Sequence, residues 1–154
     1  MLQMLKNKLK DQKGFTLIEL LAVIVILGII AAIAIPSILN LIQNSKDDAQ
    51  VANAQQMVSA ARNAVAQNDV DFSTTPGKIL LSDLVSKGYL EDINNPDKKL
   101  TYDEAKSFVE VTKPDGTTKN YLYEVTLIGL DGTDEVPYFE AIASNDLKRD
   151  SLSQ

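Results

Sequence analysis

Hydrophobic positions fall into two regimes along the chain. From residue 15 to residue 35 they run almost without a break. Thr16 and Glu19 are the only strongly polar residues there, and 20–35 is apolar or Gly throughout. Helical at about 1.5 Å per residue, such a run spans the ~30 Å hydrocarbon core of a bilayer. After Pro36 the spacing changes. Val51, Ala54, Val58, Ala61 and Val65 recur at intervals of three and four, the stripe of an amphipathic helix. Gln50, Asn53, Gln55, Gln56, Ser59, Arg62 and Asn63 lie between them, on the expected wet side. No Pro or Gly interrupts residues 37–75. The spacing predicts one helix over about residues 16–68, lipid-facing first and amphipathic afterwards.

Turn chemistry organises the rest. Residues 69–78 hold Asp, Ser, Thr, Pro76 and Gly77 and read as a loop. Residues 79–87 read as a short helix with Leu80, Leu81, Leu84 and Val85 on its apolar face and Gly88 at its C-terminal stop. A turn comes next, at 94–97. Three strands are predicted at 107–112, 121–128 and 136–143, separated by turn signals at 114–116 and 131–132. In the second, alternation puts Tyr121, Tyr123, Val125 and Leu127 on one face. These strands make an antiparallel meander that can cover the 51–65 stripe. The tail, 144–154, is polar and expected to fray. The predicted class is α+β: a lollipop of one long N-terminal helix packed on a small C-terminal antiparallel sheet.

Charge adds direction. Lys6, Lys8, Lys10 and Lys13, against one Asp11, precede the apolar run, so the positive-inside bias keeps residues 1–13 in the cytoplasm and places the chain beyond Pro36 outside. The chain carries a net −6; without residues 1–14 it keeps 11 basic and 20 acidic side chains, a net −9. An acidic surface repels phosphates, so no direct nucleic-acid binding is expected, and Lys98-Lys99 is too small a patch to change that. There is no Cys and no His. Disulfides and thiolate metal sites are excluded, and the commonest general base is missing. No phosphate loop or nucleophile elbow occurs, and the expectation is neither an enzyme nor a cofactor binder.

A single-pass anchor, a secretory signal peptide and a processed leader could each explain the N-terminal run; Ala32-Ile33-Ala34 even has the small-x-small form of a signal cleavage site. Glu19 separates them. A carboxylate at mid-bilayer costs roughly 2.5–3.5 kcal/mol, less near the edge, and neither an anchor nor a signal peptide gains from it. Lys13-Gly14-Phe15-Thr16-Leu17-Ile18-Glu19-Leu20 resembles the processing motif of type IV pilins and pseudopilins, and the apolar run with Gly28 and Pro36 is similar to that family too. Residues 84–96 resemble the region joining helix and sheet in many pilins.

The resemblance implies that a prepilin peptidase cuts between Gly14 and Phe15 and methylates Phe15. It implies three segments: a removed leader, 1–14; a transmembrane or filament-core helix, 15–36; and an extracellular domain, 37–154. The partners it implies are the peptidase, other copies, minor pilins, the membrane platform protein and a cytoplasmic assembly ATPase. The subunit would sit in the membrane before assembly and in an extracellular pilus afterwards. An ammonium on Phe15 and the carboxylate of Glu19 are each expensive in an apolar interior. Paired between neighbouring subunits, they would reward correct stacking, the registry use of a buried ion pair. Pro36 removes a helical hydrogen bond, so 28–36 is either a kink or a stretch that melts on assembly, the latter favoured by the resemblance. Asp131, Asp134 and Glu135 crowd one turn; oxygen-rich loops can hold calcium, as in some pseudopilins, but EF-hand spacing is absent and a solvated turn is the alternative. The missing cysteines, unlike many Gram-negative relatives, point toward a Gram-positive or anaerobic source. A type IV pilus subunit is the expected function. A pseudopilin of a type II secretion or competence apparatus, or an anchored or secreted binding module, is the alternative.

Overall fold

The computed structural model describes residues 2–74, 76–115 and 120–153, with side chains from Leu17 onward. Two compact units divide the chain, Met1–Gln43 and Asn44–Gln154. Helix α1 (Leu2–Ala66) begins well before residue 16 and continues through Pro36. Pro36 has no N–H for the carbonyl of Ala32, and beside it the Ser37 hydroxyl donates to the Ile33 carbonyl at 3.1 Å. The helix stops in a Schellman turn: Asn68 takes φ 57°, its N–H donates to the Val65 carbonyl, and that of Asp69 to the Ala64 carbonyl.

Within Asn44–Gln154, the sheet is antiparallel. It comprises β1 (Gly77–Leu80), β2 (Thr101–Tyr102), β3 (Phe108–Thr112), β4 (Leu122–Asp131) and β5 (Asp134–Ala143), with the short helix α2 (Leu81–Ser86) after β1. The meander β3–β4–β5 is the expected one; β1 and β2 enlarge it. β4 is central, with β5 along one edge and β3 then β2 along the other. Strand β1 replaces the end of the expected loop and the start of the expected helix: Ile79 pairs with Val109, so Ile79 and Leu80 belong to the sheet. Gly88, at φ 76°, does close α2, with the N–H of Tyr89 on the Leu84 carbonyl. Gly132, at φ 65°, opens the two-residue loop of the β4–β5 hairpin, where a type II′ turn requires Gly.

The core lies between the sheet and the second part of α1. Ala54, Val58 and Ala61 of the expected stripe are buried, joined by Met57, Ala60 and Ala64. Val109, Val111, Tyr123, Val125, Leu127 and Phe139 face them from the sheet, and Leu81 and Leu84 from α2. Each large side chain so buried stabilises the fold by about 1.5–3 kcal/mol. The alanines let the helix backbone approach the strands closely.

Three features differ from expectation. Gln50 is not on the wet side but buried. The Tyr102 hydroxyl donates to its Oε1 at 2.5 Å, and its Nε2 donates to Asn95 Oδ1 at 3.0 Å. Asn53 Nδ2 donates to the same Tyr102 oxygen at 2.7 Å. Burial pushes the Tyr102 phenol well above its ordinary value, against the Asn53 hydrogen bond. The tail is not frayed: Leu147 is buried, Ser153 N–H donates to the Tyr138 carbonyl at 2.9 Å, and Arg149 Nη2 forks onto Asp48 at 2.7 and 2.6 Å. Finally, Glu140 and Ala141 together oppose Thr126 in a β-bulge; Ala141 sits at φ 52°, its N–H held by Thr126 Oγ1 at 3.1 Å.

Candidate functional site

The candidate site is the N-terminal segment of α1. Every large hydrophobic side chain from Leu17 to Ile42 is exposed, from 47% at Val23 to 69% at Leu17. By length and composition this helix can cross a membrane: its most apolar 18-residue window has a mean hydropathy of 3.0 and none of it is buried within the chain. Exposed apolar area of that extent is what lipid or a second apolar surface covers.

Glu19 stands in this surface. Between Lys13 and Lys46 it is the only ionisable side chain, and it is exposed, with Ile18 and Leu20 beside it. One helical turn separates residue 19 from residue 15. A chain cut before residue 15 would place its new amine about 6 Å along the helix from the Glu19 backbone. The same cut would make residues 15–18 the first turn, whose four N–H groups lack helical partners and carry the positive end of the helix dipole. A carboxylate nearby complements both.

Gly14 and Phe15 lie within α1, and the Phe15 side chain is outside what is described. Gly28 and Pro36 are on the same exposed run as Glu19. A Cβ at Gly28 would meet nothing within 4 Å, so nothing in this chain requires a glycine there. The remaining expected candidates lie in the other unit, at the β4–β5 turn. Asp131 and Asp134 are paired across the hairpin, while Glu135 pairs with Leu130 and its carboxylate accepts from Lys106 Nζ. Among the described residues, no group of three or more carboxylates could hold a metal ion. The turn is acidic and solvated, with one of its three carboxylates engaged by a lysine.

Sequence reasoning did not single out the Gln50–Tyr102–Asn53 cluster, which fixes residues 94 and 95 to α1. Asn53 Nδ2 also donates to the Asn94 carbonyl at 3.0 Å. One signal was present: Gln50 lies one residue before Val51, four before Ala54, and so on the edge of the stripe.

The prokaryotic N-terminal methylation motif matches residues 9–35. A fimbrial protein of Pseudomonas aeruginosa is 38% identical over 72% of this chain and 67% of its own length. The type IV major fimbrial protein FimA of Dichelobacter nodosus is 35% identical over 71% of each chain. The type II secretion system core protein G of Vibrio cholerae is 36% identical over 46% of this chain and 45% of its own. No solved structure matches the chain.

Proposed function

The chain belongs to the type IV pilin family, and on that premise we propose how its N-terminal segment makes it polymerise. It is a structural subunit of a pilus filament. Residues 1–14 are a leader removed by a prepilin peptidase between Gly14 and Phe15, and Phe15 becomes the N-methylated terminus. Residues 15–36 hold the subunit in the membrane and then pack in the filament core, and 37–154 face outward. Minor pilins, a membrane platform protein and a cytoplasmic ATPase complete the assembly, and the chain itself has no catalytic role.

One observation carries this reading: a lone carboxylate, Glu19, within an exposed apolar helix that carries the processing motif. Neither the amine of Phe15 nor Glu19 is tolerable alone in an apolar interior, and each relieves the other when the amine of an incoming copy meets Glu19 of a neighbour. Misaligned copies leave both unpaired. Gly28 and Pro36 weaken the helix where it passes from lipid into the fibre. Glu19→Ala is expected to leave cleavage intact and to abolish fibres; normal fibre yield from that variant contradicts the pairing.

A second reading, a pseudopilin of a secretion apparatus, is favoured by the similarity to the Vibrio cholerae core protein. The same chemistry serves both. Electron microscopy of cells with and without the chain separates them: long surface fibres lost on deletion support the pilus, and loss of protein secretion with no change in fibres supports the pseudopilus. A Gram-positive origin rests on the missing cysteines alone, since these relatives come from Gram-negative bacteria.

A further inference from the structure

The apolar surface of α1 continues past the length a membrane covers. Ile38, Leu39, Leu41 and Ile42 are each at least half exposed. Ser37, Asn40, Gln43 and Asn44 alternate with them, so beyond Pro36 the apolar side chains keep to one face of the helix. Residues 17–42 extend roughly 39 Å as a helix, against the ~30 Å of a hydrocarbon core. An upright span buries about 20 of these residues and leaves the 38–42 face over.

The same helix carries a groove farther on. In the globular unit, Ala52, Ser59 and Ala60 floor it and Tyr89 and Leu90 wall it, around about 470 Å³. The small floor lets another helix approach closely. The Ser59 hydroxyl donates back to the Gln55 carbonyl at 2.9 Å, so covering it strands no donor. No Asp, Glu, Lys or Arg lines the groove, and none occurs in residues 49–61. Without its leader the chain carries 11 basic and 20 acidic side chains, so this strip offers a second copy an approach free of like charges. Depletion of charge beside an aromatic ring is the composition of an interface core. Positions 38, 42, 45, 49, 52, 56, 59 and 63 alternate spacings of four and three, which sets the 38–42 turn and the groove on one face of the continuous α1.

We propose that the 38–42 turn of one copy packs into the 52–60 groove of a second copy displaced along the fibre. This contact rests on the polymerising function above and adds to it an interface beyond the membrane-spanning segment. Large side chains of one copy meet small ones of the other, ridge into groove. Turn and groove are about 17 positions apart, so the displacement is roughly 25 Å at the helical rise. Pairing of the Phe15 amine with Glu19 needs only about 6 Å. The contact therefore joins copies that are not consecutive in the stack. It brings together two unlike surfaces of identical subunits, and repeated without closure such a contact builds an open filament.

The absence of native cysteine makes the test direct. Fibres assembled from the full chain carrying both Ile42→Cys and Gln56→Cys are oxidised and run on a non-reducing denaturing gel. Within one chain these positions are about 21 Å apart along α1, too far for a disulfide. A ladder of covalent multimers from the double variant, absent from either single variant, is the expected result. Ile42→Cys with Arg62→Cys, exposed but off the shared face, is expected to give no ladder. Fibres of the first double variant that remain monomeric on the gel, or an equal ladder from the second, overturn the contact while leaving polymerisation intact. If the unmodified chain forms no fibres, the polymerising function fails and the contact with it. Should the first double variant not assemble, a charge in the groove decides. Ala52→Arg is expected to lower fibre yield about tenfold, as an unpaired charge in an interface core does, with the unfolding midpoint of the solubilised chain unchanged. Unchanged fibre yield overturns the contact.

Discussion

Residues 17–42 and residues 44–153 use the same kinds of apolar side chain in opposite ways. In the first segment leucines and isoleucines alternate with no polar face, and all remain exposed. In the second, apolar positions recur at helical or strand spacing, and Met57, Leu81, Leu127 and Phe139 are fully buried against one another. Polar groups obey the same division. Tyr102 and Gln50 satisfy each other inside the globular unit, and among the described residues no buried side-chain nitrogen or oxygen lacks a partner. Glu19 has an apolar surround whose proposed counter-charge comes from another copy. The globular unit completes itself; the N-terminal segment is complementary to something outside the chain.

The sharpest way to break this contrast is at the leader. Gly14→Val is expected to abolish processing, so uncut precursor accumulates in the membrane and fibres are absent; immunoblots of membrane and sheared fractions read both. Next come truncations matched across the two regions. Phe139→Ala should cost the globular unit about 3–5 kcal/mol, as large-to-small changes in a closed core do. Leu27→Ala, exposed at 58%, should leave its unfolding midpoint unchanged. Denaturant unfolding of the detergent-solubilised full chain compares them, and equal losses would erase the distinction between the regions.

Smaller effects test how the globular unit closes. Tyr102→Phe removes the hydroxyl that serves both Gln50 and Asn53 and should destabilise by about 1–3 kcal/mol, the cost of leaving buried polar groups unpaired. Ala141→Gly should stabilise by about 1 kcal/mol, because Ala141 holds a left-handed conformation that glycine adopts without a Cβ clash. Thermal unfolding of the same preparation reads both, and a loss of stability in Ala141→Gly would contradict the strain.

Much of this fold was legible in the sequence. The long helix, the meander and the stop at Gly88 rest on periodicities and turn residues that act locally. The features that were not legible depend on distant partners. In β1, Ile79 and Leu80 run straight into the leucines of α2, so their strand pairing with Val109 and Phe108 left no break in the pattern. β2 is two residues long, too short for any period. The tail looked unstructured because Leu147 and Leu152 are sparse; Arg149 is hydrogen-bonded to Asp48, about a hundred positions earlier. Gln50 reads as a surface residue until Tyr102 arrives beside it. Of the candidate site, the motif around Glu19 was readable outright. The outward direction of Leu122 was readable too, since the alternation that turns Tyr123, Val125 and Leu127 inward leaves Leu122 on the opposite face.

The origin of the mature chain tests the central claim most directly. Mass spectrometry and N-terminal sequencing of the protein recovered from sheared fibres should find a polypeptide beginning at N-methylated Phe15 and 140 residues long, the 154 of the full chain less the 14 of the leader. A mature chain that begins at Met1, or near Ser37 after cleavage behind Ala34, would contradict it, because neither leaves a free amine one helical turn from Glu19.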